Sequence, residues 1–357
     1  MTLLRGYLIG AVFKGVALVL LVLVAVKGCI ELVGQLNDVG EGSYTLITAV
    51  RYVLLRVPRA VFDTLPAASL IGSLLGLGNL AVHRELVVMR ASGVSSWQLL
   101  SAVGLAGVGL AVLMALLGES VAPSLAAYAS AMRTRALHED VAVGDGGATW
   151  LKDGNRIVSL RRQTAGALSY GGGVWLFEIG PEHALKRIAR ADSADIGASN
   201  NWVLANYAET TFLDSTIEAR KEHESTETYG LNQDLLALSV VRQDMLDTPA
   251  LQRYIAYLHE NNLDARRYEI AYWKRLADIA SVIAMTVLAL PFVFGGLRSA
   301  GTGARLLSGL VIGLSYYVLG QLLASAGEVY GLDPRVVAWA PTAALALVTA
   351  VAFTRAH

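Results

Sequence analysis

The chain of 357 residues is 54% hydrophobic and only 16% charged, and its 29 Lys/Arg balance 29 Asp/Glu. A mean hydropathy of +0.50 excludes an ordinary soluble protein along the whole length, and zero net charge excludes the strongly basic chains that bind nucleic acid. The single cysteine, Cys29, excludes a disulfide framework.

Charge is unevenly distributed along the chain. Between residues 123 and 267 there are 15 Lys/Arg and 19 Asp/Glu, a density typical of soluble protein. The two flanks carry fewer charges among long apolar runs. A water-exposed centre between two membrane-embedded flanks is therefore predicted.

Six apolar segments are long enough to cross a bilayer, which takes about 20 helical residues. The first has a basic flank but no small-residue cleavage site, so it is predicted to be an uncleaved span. In the second, Gly72 and Gly76 favour the close approach of another helix. The predicted spans are residues 15–36, 60–82, 98–122, 269–294, 304–326 and 336–354.

Basic residues beside the spans predict the orientation, since cytoplasmic loops carry an excess of Lys and Arg. With the N-terminus inside, seven basic residues and one acid, Glu85, face the cytoplasm. The opposite short loops hold three arginines and four acids. Both termini are therefore expected in the cytoplasm. The seven basic residues are Arg5, Lys14, Arg84, Arg90, Arg298, Arg305 and Arg355.

The central segment has the pattern of an all-β domain. The stretch TWLKDGNRIVSL (149–160) contains two short strands joined by Asp153-Gly154, a strong hairpin signal. Further short runs bounded by Gly, Asn, Pro or Asp follow, which favours a β-sandwich or an open jelly roll. Thr248-Pro249 then begins a helix that leads back to the membrane.

The predicted fold class is an α-helical membrane protein with six transmembrane helices and an all-β, jelly-roll-like domain inserted between helices three and four. The orientation places this domain in the periplasm. The predicted parts are residues 1–122, with a cytoplasmic element at 83–93, then the β domain with a flanking helix at 123–267, then 268–357.

No residue pattern predicts catalysis. The sequence has no Gly-Lys pair, and so no P-loop for ATP. Its six histidines show no metal-ligand spacing, and the spans offer no recognisable nucleophile and base. No catalytic residue, metal or cofactor is expected, and a transporter subunit is favoured over an enzyme.

Charges in and near the spans are more informative, because charge inside a membrane is costly. Lys27 and Glu31 are one turn apart, so they could pair with each other along the helix. Five arginines flank the outer ends of spans two and three. Each alone fits interfacial snorkelling, but together they predict a basic rim that holds phosphates. They are Arg51, Arg56, Arg59, Arg133 and Arg135.

Several motifs together resemble the lipopolysaccharide export permeases of the LptF/LptG family. They are LLGLGNLAVHRELVVMRASG (74–93), LPFVFGGLRSAGTGARLLSGLVIGLSYYVLGQLL (290–323), VGEGSY (39–44), VAP (121–123) and LKDGN (151–155). Their order and spacing cover the membrane portion almost end to end.

The resemblance implies one half of a transporter in the Gram-negative inner membrane. Its expected partners are an LptF-like second permease subunit, an LptB-like cytoplasmic ATPase dimer, a single-span LptC-like protein, an LptA-like periplasmic bridge, and lipopolysaccharide as substrate. The alternative is a mechanotransmitting ABC membrane subunit that drives a periplasmic partner without carrying lipid.

The resemblance also implies residue roles. Segment 83–93 fits a coupling helix that docks on the ATPase, with Glu85 as its acidic contact and Leu86, Val87 and Met89 as an apolar face. The expected coupling residues are Arg84, Glu85, Leu86, Met89, Arg90 and Arg298.

The substrate path implied by the family carries basic residues near the periplasmic side. Arg59 and Arg133 fall on such positions. Glu31 stands where the family pattern has a lysine, and Lys27, one turn earlier, is the expected replacement. The full set expected to contact lipopolysaccharide is Lys27, Arg56, Arg59, Arg133 and Arg135, with Thr64, Leu70, Leu310, Leu314 and Tyr317 as an acyl-chain wall.

Overall fold

The computed structural model describes residues 2–137, 149–160, 169–180, 184–196, 201–213, 216–229, 236, 245–294 and 302–355. The helices in this part of the chain are α1 (Thr2–Leu36), α2 (Leu46–Leu55), α3 (Val57–Val82), α4 (Glu85–Ala91), α5 (Ser96–Leu116), a π-helical turn (Leu117–Val121), α6 (Ala122–Leu137), α7 (Thr248–Glu260), α8 (Arg266–Phe294), α9 (Thr302–Tyr330) and α10 (Pro334–Arg355). The strands are β1 (Thr149–Asp153), β2 (Arg156–Leu160), β3 (Ser169–Ile179), β4 (Leu185–Ile196), β5 (Asn201–Phe212) and β6 (Ile217–Thr228).

The chain forms two compact units. The helical unit contains Met1–Asn37, Val53–Ala126 and Arg266–His357. The β unit contains Asp38–Tyr52 and Ala127–Ala265.

Six helices in the described residues are long and apolar enough to cross a membrane. They occupy the six predicted places, and the β-sheet lies between the third and the fourth, so the predicted fold class is confirmed. The third span is longer than predicted, because a π-helical turn joins α5 to α6 and the helix continues to Leu137. Pro123 does not end it, since proline is tolerated in the first turn of a helix.

The helical unit is held together by close packing of α1 on α3. A Cβ atom added to Gly72 would lie 2.4 Å from Val16 Cα, and one on Gly76 would lie 2.3 Å from the Ala11 carbonyl oxygen. A Cβ added to Gly15 would meet the Gly72 carbonyl oxygen at 2.1 Å. The prediction that Gly72 and Gly76 admit a neighbouring helix is confirmed.

The core of this unit lies along α3, α5 and α8. Leu74, Val103 and Leu288 are 0% exposed there. By contrast, α1 and α9 leave large apolar side chains exposed, among them Leu21, Leu310 and Leu314. In a protein of this hydropathy, such faces meet lipid, substrate or another subunit.

The β unit contains a single antiparallel sheet whose six described strands pair in sequence order. The predicted hairpin at Asp153-Gly154 is confirmed: Asp153 pairs with Arg156, and Gly154 has φ +58°. Tyr257 of α7 covers the outer edge of β1, because its hydroxyl accepts from the Lys152 N–H at 3.3 Å and donates to the Lys152 carbonyl oxygen at 2.7 Å.

The sheet is rolled rather than flat. Arg187 on β4 lies opposite Thr211 of β5, and Glu227 on β6 lies opposite Trp202 of β5. These two positions on β5 would be about 30 Å apart along an extended strand. Yet Arg187 Nη1 is 2.8 Å from Glu227 Oε1, so the end of β6 curls back over β4, as in a jelly-roll-like domain.

The roll is closed by a half-buried charged cluster. Arg187 pairs with three carboxylates, those of Glu178, Glu209 and Glu227, at 2.8 to 3.1 Å. Burial by itself would raise the pKa of Glu227, but hydrogen bonds from Arg187, Tyr229 and Tyr207 lower it overall. We call Arg187, Glu178, Glu209 and Glu227 the clasp.

Candidate functional site

The basic residues predicted in the helical unit converge at one end of α1 and α3. Lys27 Nζ is 2.7 Å from Asp63 Oδ2, and Arg59 Nε is 3.1 Å from Asp63 Oδ1. One carboxylate on α3 therefore accepts a cation from each helix. These charge-assisted bonds fix Lys27 and Arg59 beside each other.

Arg56 and Glu31 form the second ion pair of this group, with Nη1 and Oε1 2.6 Å apart. The possible pairing of Lys27 with Glu31 along α1 is wrong, because each of them bonds to α3 instead. An i,i+4 pair is worth only about 0.2–0.5 kcal/mol, so a partner on the packed neighbouring helix prevails.

We call Lys27, Glu31, Arg56, Arg59 and Asp63 the ionic cluster. It holds three cations and two carboxylates, so its net charge is +1. Sequence reasoning did not single out Asp63. Its signal was the spacing Arg59-x-x-x-Asp63, which puts opposite charges on one face of a helix in an otherwise apolar span.

The other predicted basic residues belong to the β unit. Arg133 on α6 pairs with Asp38. The VGEGSY loop, which connects α1 to α2, is held against α6, since the Ser43 N–H donates to the Ala136 carbonyl oxygen at 2.8 Å. Arg135 is exposed in the last turn of α6.

Tyr44, the last residue of the VGEGSY loop, is buried. Its side chain is 1% exposed, and burial raises the pKa of its hydroxyl. Gly42 has φ +53°, and a Cβ there would lie 2.6 Å from the Ala136 carbonyl oxygen. The loop motif is therefore explained by packing on α6.

The predicted acyl-chain wall divides into exposed and buried members. Leu310, Leu314 and Tyr317 on α9 are 50%, 58% and 60% exposed. Thr64 is half-buried, and its hydroxyl donates to the Ala60 carbonyl oxygen at 2.8 Å. Leu70 is 0% exposed inside the core, so its side chain is closed to a ligand in this conformation.

Helix α9 runs alongside α3 in the opposite direction. A Cβ on Gly309 would lie 3.0 Å from side-chain atoms of Ile71 and Leu74, and one on Gly313 would lie 3.1 Å from Ala67. One further turn brings α9 to the level of Asp63. The exposed face of α9 thus leads towards the ionic cluster.

The predicted coupling element is a helix, α4, which begins after Arg84 in a left-handed conformation. Leu86 and Met89 are 1% and 9% exposed and belong to the core of the helical unit. The expectation that they present an apolar face to a partner is therefore wrong in this conformation. Their i,i+3 spacing turns both towards the bundle, and Val87 and Val88 are exposed instead.

The charged residues of α4 contact two other helices of the unit, α1 and α8. The Tyr7 hydroxyl on α1 donates to Glu85 Oε2 at 2.7 Å. The Arg90 guanidinium lies over the Phe294 ring at the end of α8, 5.4 Å from its centroid. Arg84 is exposed, and Arg298 lies outside the described residues.

A further polar group inside the spans was missed by sequence reasoning. Arg275 of α8 is 7% exposed and pairs with Glu119 of the π-helical turn at 3.8 Å. One residue earlier, Lys274 pairs with Asp278, which also accepts from the Tyr316 hydroxyl at 3.1 Å. This polar group could have been found from the sequence, because charged residues within apolar helices are rare and indicate a functional or paired site.

Among the residues that the structure describes, no three His, Cys, Asp or Glu side chains are grouped to hold a metal ion. The candidate site is therefore the ionic cluster with the exposed α9 face, and α4 is a separate candidate contact for a partner protein.

Comparison with known proteins agrees with this architecture. The family model described as lipopolysaccharide export system permease LptF/LptG matches residues 6–355. The lipopolysaccharide export system permease protein LptG of Escherichia coli strain K12 is 32% identical over 345 residues, covering 96% of this chain and 95% of the relative. The protein of the same name from Haemophilus influenzae is 30% identical over 326 residues, covering 91% and 89%.

Proposed function

This chain belongs to the LptF/LptG family of lipopolysaccharide export system permeases, and from that membership we propose that it is a permease subunit which extracts lipopolysaccharide from the periplasmic leaflet of the inner membrane. Its motifs and its relatives both fit the LptG type of subunit. The substrate would pass to a periplasmic bridge that leads to the outer membrane.

One observation carries the proposal. The exposed apolar face of α9, formed by Leu310, Leu314 and Tyr317, leads along α3 to the ionic cluster. Lipopolysaccharide has acyl chains at one end and phosphorylated sugars above them. A surface with an apolar wall below a group of cations matches both parts of such a molecule.

The carboxylates in the ionic cluster give it a role in release as well as binding. Asp63 and Glu31 hold the cations in place without substrate, and an arriving phosphate would compete with them for Lys27, Arg56 and Arg59. Because the net charge is only +1, binding is moderated. A transporter needs a site that it can also empty.

Energy would be supplied by another protein, since the sequence has no P-loop. We assign α4 to contact with an LptB-like ATPase dimer in the cytoplasm. Glu85, Arg84 and the exposed Val87 and Val88 would meet that partner, and the buried Leu86 and Met89 would transmit its movement to the bundle.

The remaining partners follow from the same family. A second, LptF-like permease subunit would complete the cavity, and LptC-like and LptA-like proteins would receive the substrate from it. The proposed orientation has both termini and α4 in the cytoplasm and the β unit in the periplasm, as the distribution of Lys and Arg favours.

A photocrosslinking experiment tests the proposal. A photoreactive residue replaces Leu314 on α9, with Leu347 of α10 as the matched control, since both are exposed leucines in spans. Purified complexes are placed in bilayers that contain lipopolysaccharide. We expect strong crosslinks at 314 that decline when ATP is added, and weak crosslinks at 347 that do not. Equal crosslinks at both positions would favour the mechanotransmitter.

A further inference from the structure

An exposed face of the β unit carries an ordered row of aromatic and basic side chains. Residues opposite each other in an antiparallel sheet project from the same face. The pairing of the six strands therefore defines one row across the whole sheet, from β1 to β6. In order, its members are Trp150, Ser159, Trp175, Arg190, Ala208 and Lys221.

The aromatic members of this face are stacked on one another. In the next row of the same face, which runs from Lys152 to Ala219, Phe177 lies between the two tryptophans. The Phe177 ring is 5.9 Å from that of Trp150 and 6.3 Å from that of Trp175, with nearly parallel planes. The Arg190 guanidinium covers Trp175 at 5.5 Å.

These side chains are not needed for the core of the sheet. The core lies on the opposite face, where Val158, Val174 and Ala191 are 0% exposed. Trp150 is 61% exposed and Trp175 is 39% exposed. Tryptophans held in water in this way, with rigid neighbours, are typical of a binding surface.

The charges in the two rows are of one sign. Its two rows contain three cations, Lys152, Arg190 and Lys221, and no carboxylate. That contrasts with the central segment as a whole, where 15 Lys/Arg meet 19 Asp/Glu between residues 123 and 267. The ligand that fits it combines flat, weakly polar ring faces with negative charge.

We propose that this aromatic–cationic face binds the anionic saccharide part of lipopolysaccharide, with sugar rings on Trp150 and Trp175 and acidic groups on Arg190 and Lys221. The inference rests on the proposed function, which makes such a saccharide the substrate. Sugar C–H groups pack on the negative face of an aromatic ring, and guanidinium groups bind phosphate or carboxylate in a bidentate manner.

The face suits a saccharide better than a membrane surface. Its aliphatic members, such as Ile157 and Ile188, are half-buried between the strands. No aliphatic side chain in the two rows projects as a wedge that would insert among acyl chains. A saccharide requires no insertion, only stacking and charge pairing.

The test is titration of the full-length protein in detergent with lipopolysaccharide saccharide whose acyl chains have been removed and whose phosphates are kept. Two variants probe the face: Trp175→Ala removes a stacking ring, and Lys221→Glu reverses an exposed charge outside the stack. Matched controls are Trp97→Ala, an exposed tryptophan of α5, and Arg220→Glu, the exposed neighbour of Lys221.

We expect Trp175→Ala and Lys221→Glu each to weaken saccharide binding roughly tenfold, and the controls to bind as the unmodified protein does. Removal of phosphates from the saccharide should reduce the difference between Lys221→Glu and the unmodified protein. Circular dichroism of each variant checks that the sheet is intact, and Lys221→Glu keeps the test valid if Trp175→Ala misfolds.

Equal affinity of all four variants would overturn the inference. So would a loss that is confined to anionic lipid vesicles, because the face would then contact the membrane. Crosslinking of intact lipopolysaccharide at position 314 separates this result from the proposed function. If those crosslinks persist while saccharide binding is unaffected by either variant, only the inference about this face fails.

Discussion

At the scale of single residues, the ionic cluster shows that cations predicted for a substrate already have protein partners. Asp63 accepts from Lys27 and Arg59, and Glu31 accepts from Arg56. Charged side chains on membrane-spanning helices are energetically costly unless they are paired. The same ion pairs also fix the positions of the cations before substrate binds. Removal of a cation should therefore affect both substrate binding and local order.

The first prediction concerns the basic residues. Arg59→Glu together with Arg133→Glu should reduce lipopolysaccharide crosslinking at position 314 by about tenfold or more, since each substitution replaces a proposed phosphate-binding cation with a repelling charge. Crosslink yield in purified complexes measures the effect. The control is Lys14→Glu, an exposed basic residue of α1 outside the predicted lipopolysaccharide-contacting set, which should lose much less. Equal yields from all variants would reject a role for these arginines.

The second prediction concerns Glu85. In Glu85→Arg, ATP hydrolysis by the partner should continue while lipopolysaccharide release falls strongly, because the α4 carboxylate that would receive a partner's cation has become a cation. Hydrolysis and release are measured in the same vesicles. Thr354→Arg, at the exposed end of α10, is the control for added charge. Unimpaired release by Glu85→Arg would count against docking at α4.

Glu85 also has a partner within its own chain, Tyr7. Its hydroxyl donates to Glu85 Oε2 at 2.7 Å, which joins α4 directly to α1. The carboxylate has two oxygens and can accept from Tyr7 and from an ATPase together. Tyr7 therefore orients Glu85 and does not block it.

At the scale of elements, helix packing depends on positions where a backbone must approach closely. The α1–α3 contact is the clearest case, since Gly15, Gly72 and Gly76 leave no room for a side chain. The π-helical turn is another: Gly118 lies against Phe62, and a Cβ there would come within 2.4 Å of the ring.

The third prediction concerns the close contact between α1 and α3. Gly72→Val should separate α1 from α3 and destabilise the helical unit by at least about 1–3 kcal/mol, the usual cost of overpacking. The midpoint of thermal unfolding in detergent measures it. Gly6→Val is the control, because nothing lies within 4 Å of a Cβ at Gly6. A midpoint for Gly72→Val as high as that of the control would contradict the packing described here.

The fourth prediction concerns the clasp of the rolled sheet. The folded-state pKa of Glu227 lies below its ordinary value of 4.5. Glu227 therefore stabilises the β unit above that pH, and the contribution is lost as the pH falls through the lower folded-state value. Glu227→Gln should reduce stability at pH 7 and flatten its decline in acid.

Trp202 provides the readout for the clasp, because its ring is 4.8 Å from that of Tyr229 at the end of β6. Tryptophan fluorescence is followed during denaturation at several pH values. Glu218→Gln, an exposed residue of the same strand, is the control and should behave as the unmodified protein does. An acid decline of the same size in Glu227→Gln would show that the clasp does not govern it.

At the scale of the whole molecule, the question is which end of each unit faces which side of the membrane. The Lys and Arg distribution predicts α4 and both termini in the cytoplasm. All partner assignments depend on this placement, since an ATPase acts only from the cytoplasm.

The fifth prediction tests that placement. With Cys29 replaced by serine, a cysteine at exposed Val88 should react with a membrane-impermeant maleimide only after the inner membrane is opened. A cysteine at Lys221 should react in intact spheroplasts. Gel-shift labelling measures both. Labelling of position 88 from the outside would remove the cytoplasmic partner and with it the proposed mechanism.

Much of the fold was accessible from the sequence because its signals are local. Span positions follow from runs of apolar residues, the β1–β2 hairpin from Asp153-Gly154, and the small-residue contact from Gly72 and Gly76. The end of the third span could not be predicted from the sequence. Proline beside a π-helical turn gives the sequence pattern of a helix end, although the helix continues.

The sequence by itself determined six apolar helices, an inserted β domain, and the charged residue types at the candidate sites, because these depend on composition and on short-range periodicity. Only the tertiary structure decided which charges neutralise one another and which apolar residues are buried. Lys27 pairs with Asp63 and not with Glu31, and Leu86 and Met89 belong to the core and not to a docking face. Those outcomes depend on contacts between helices distant in sequence, which no local pattern records.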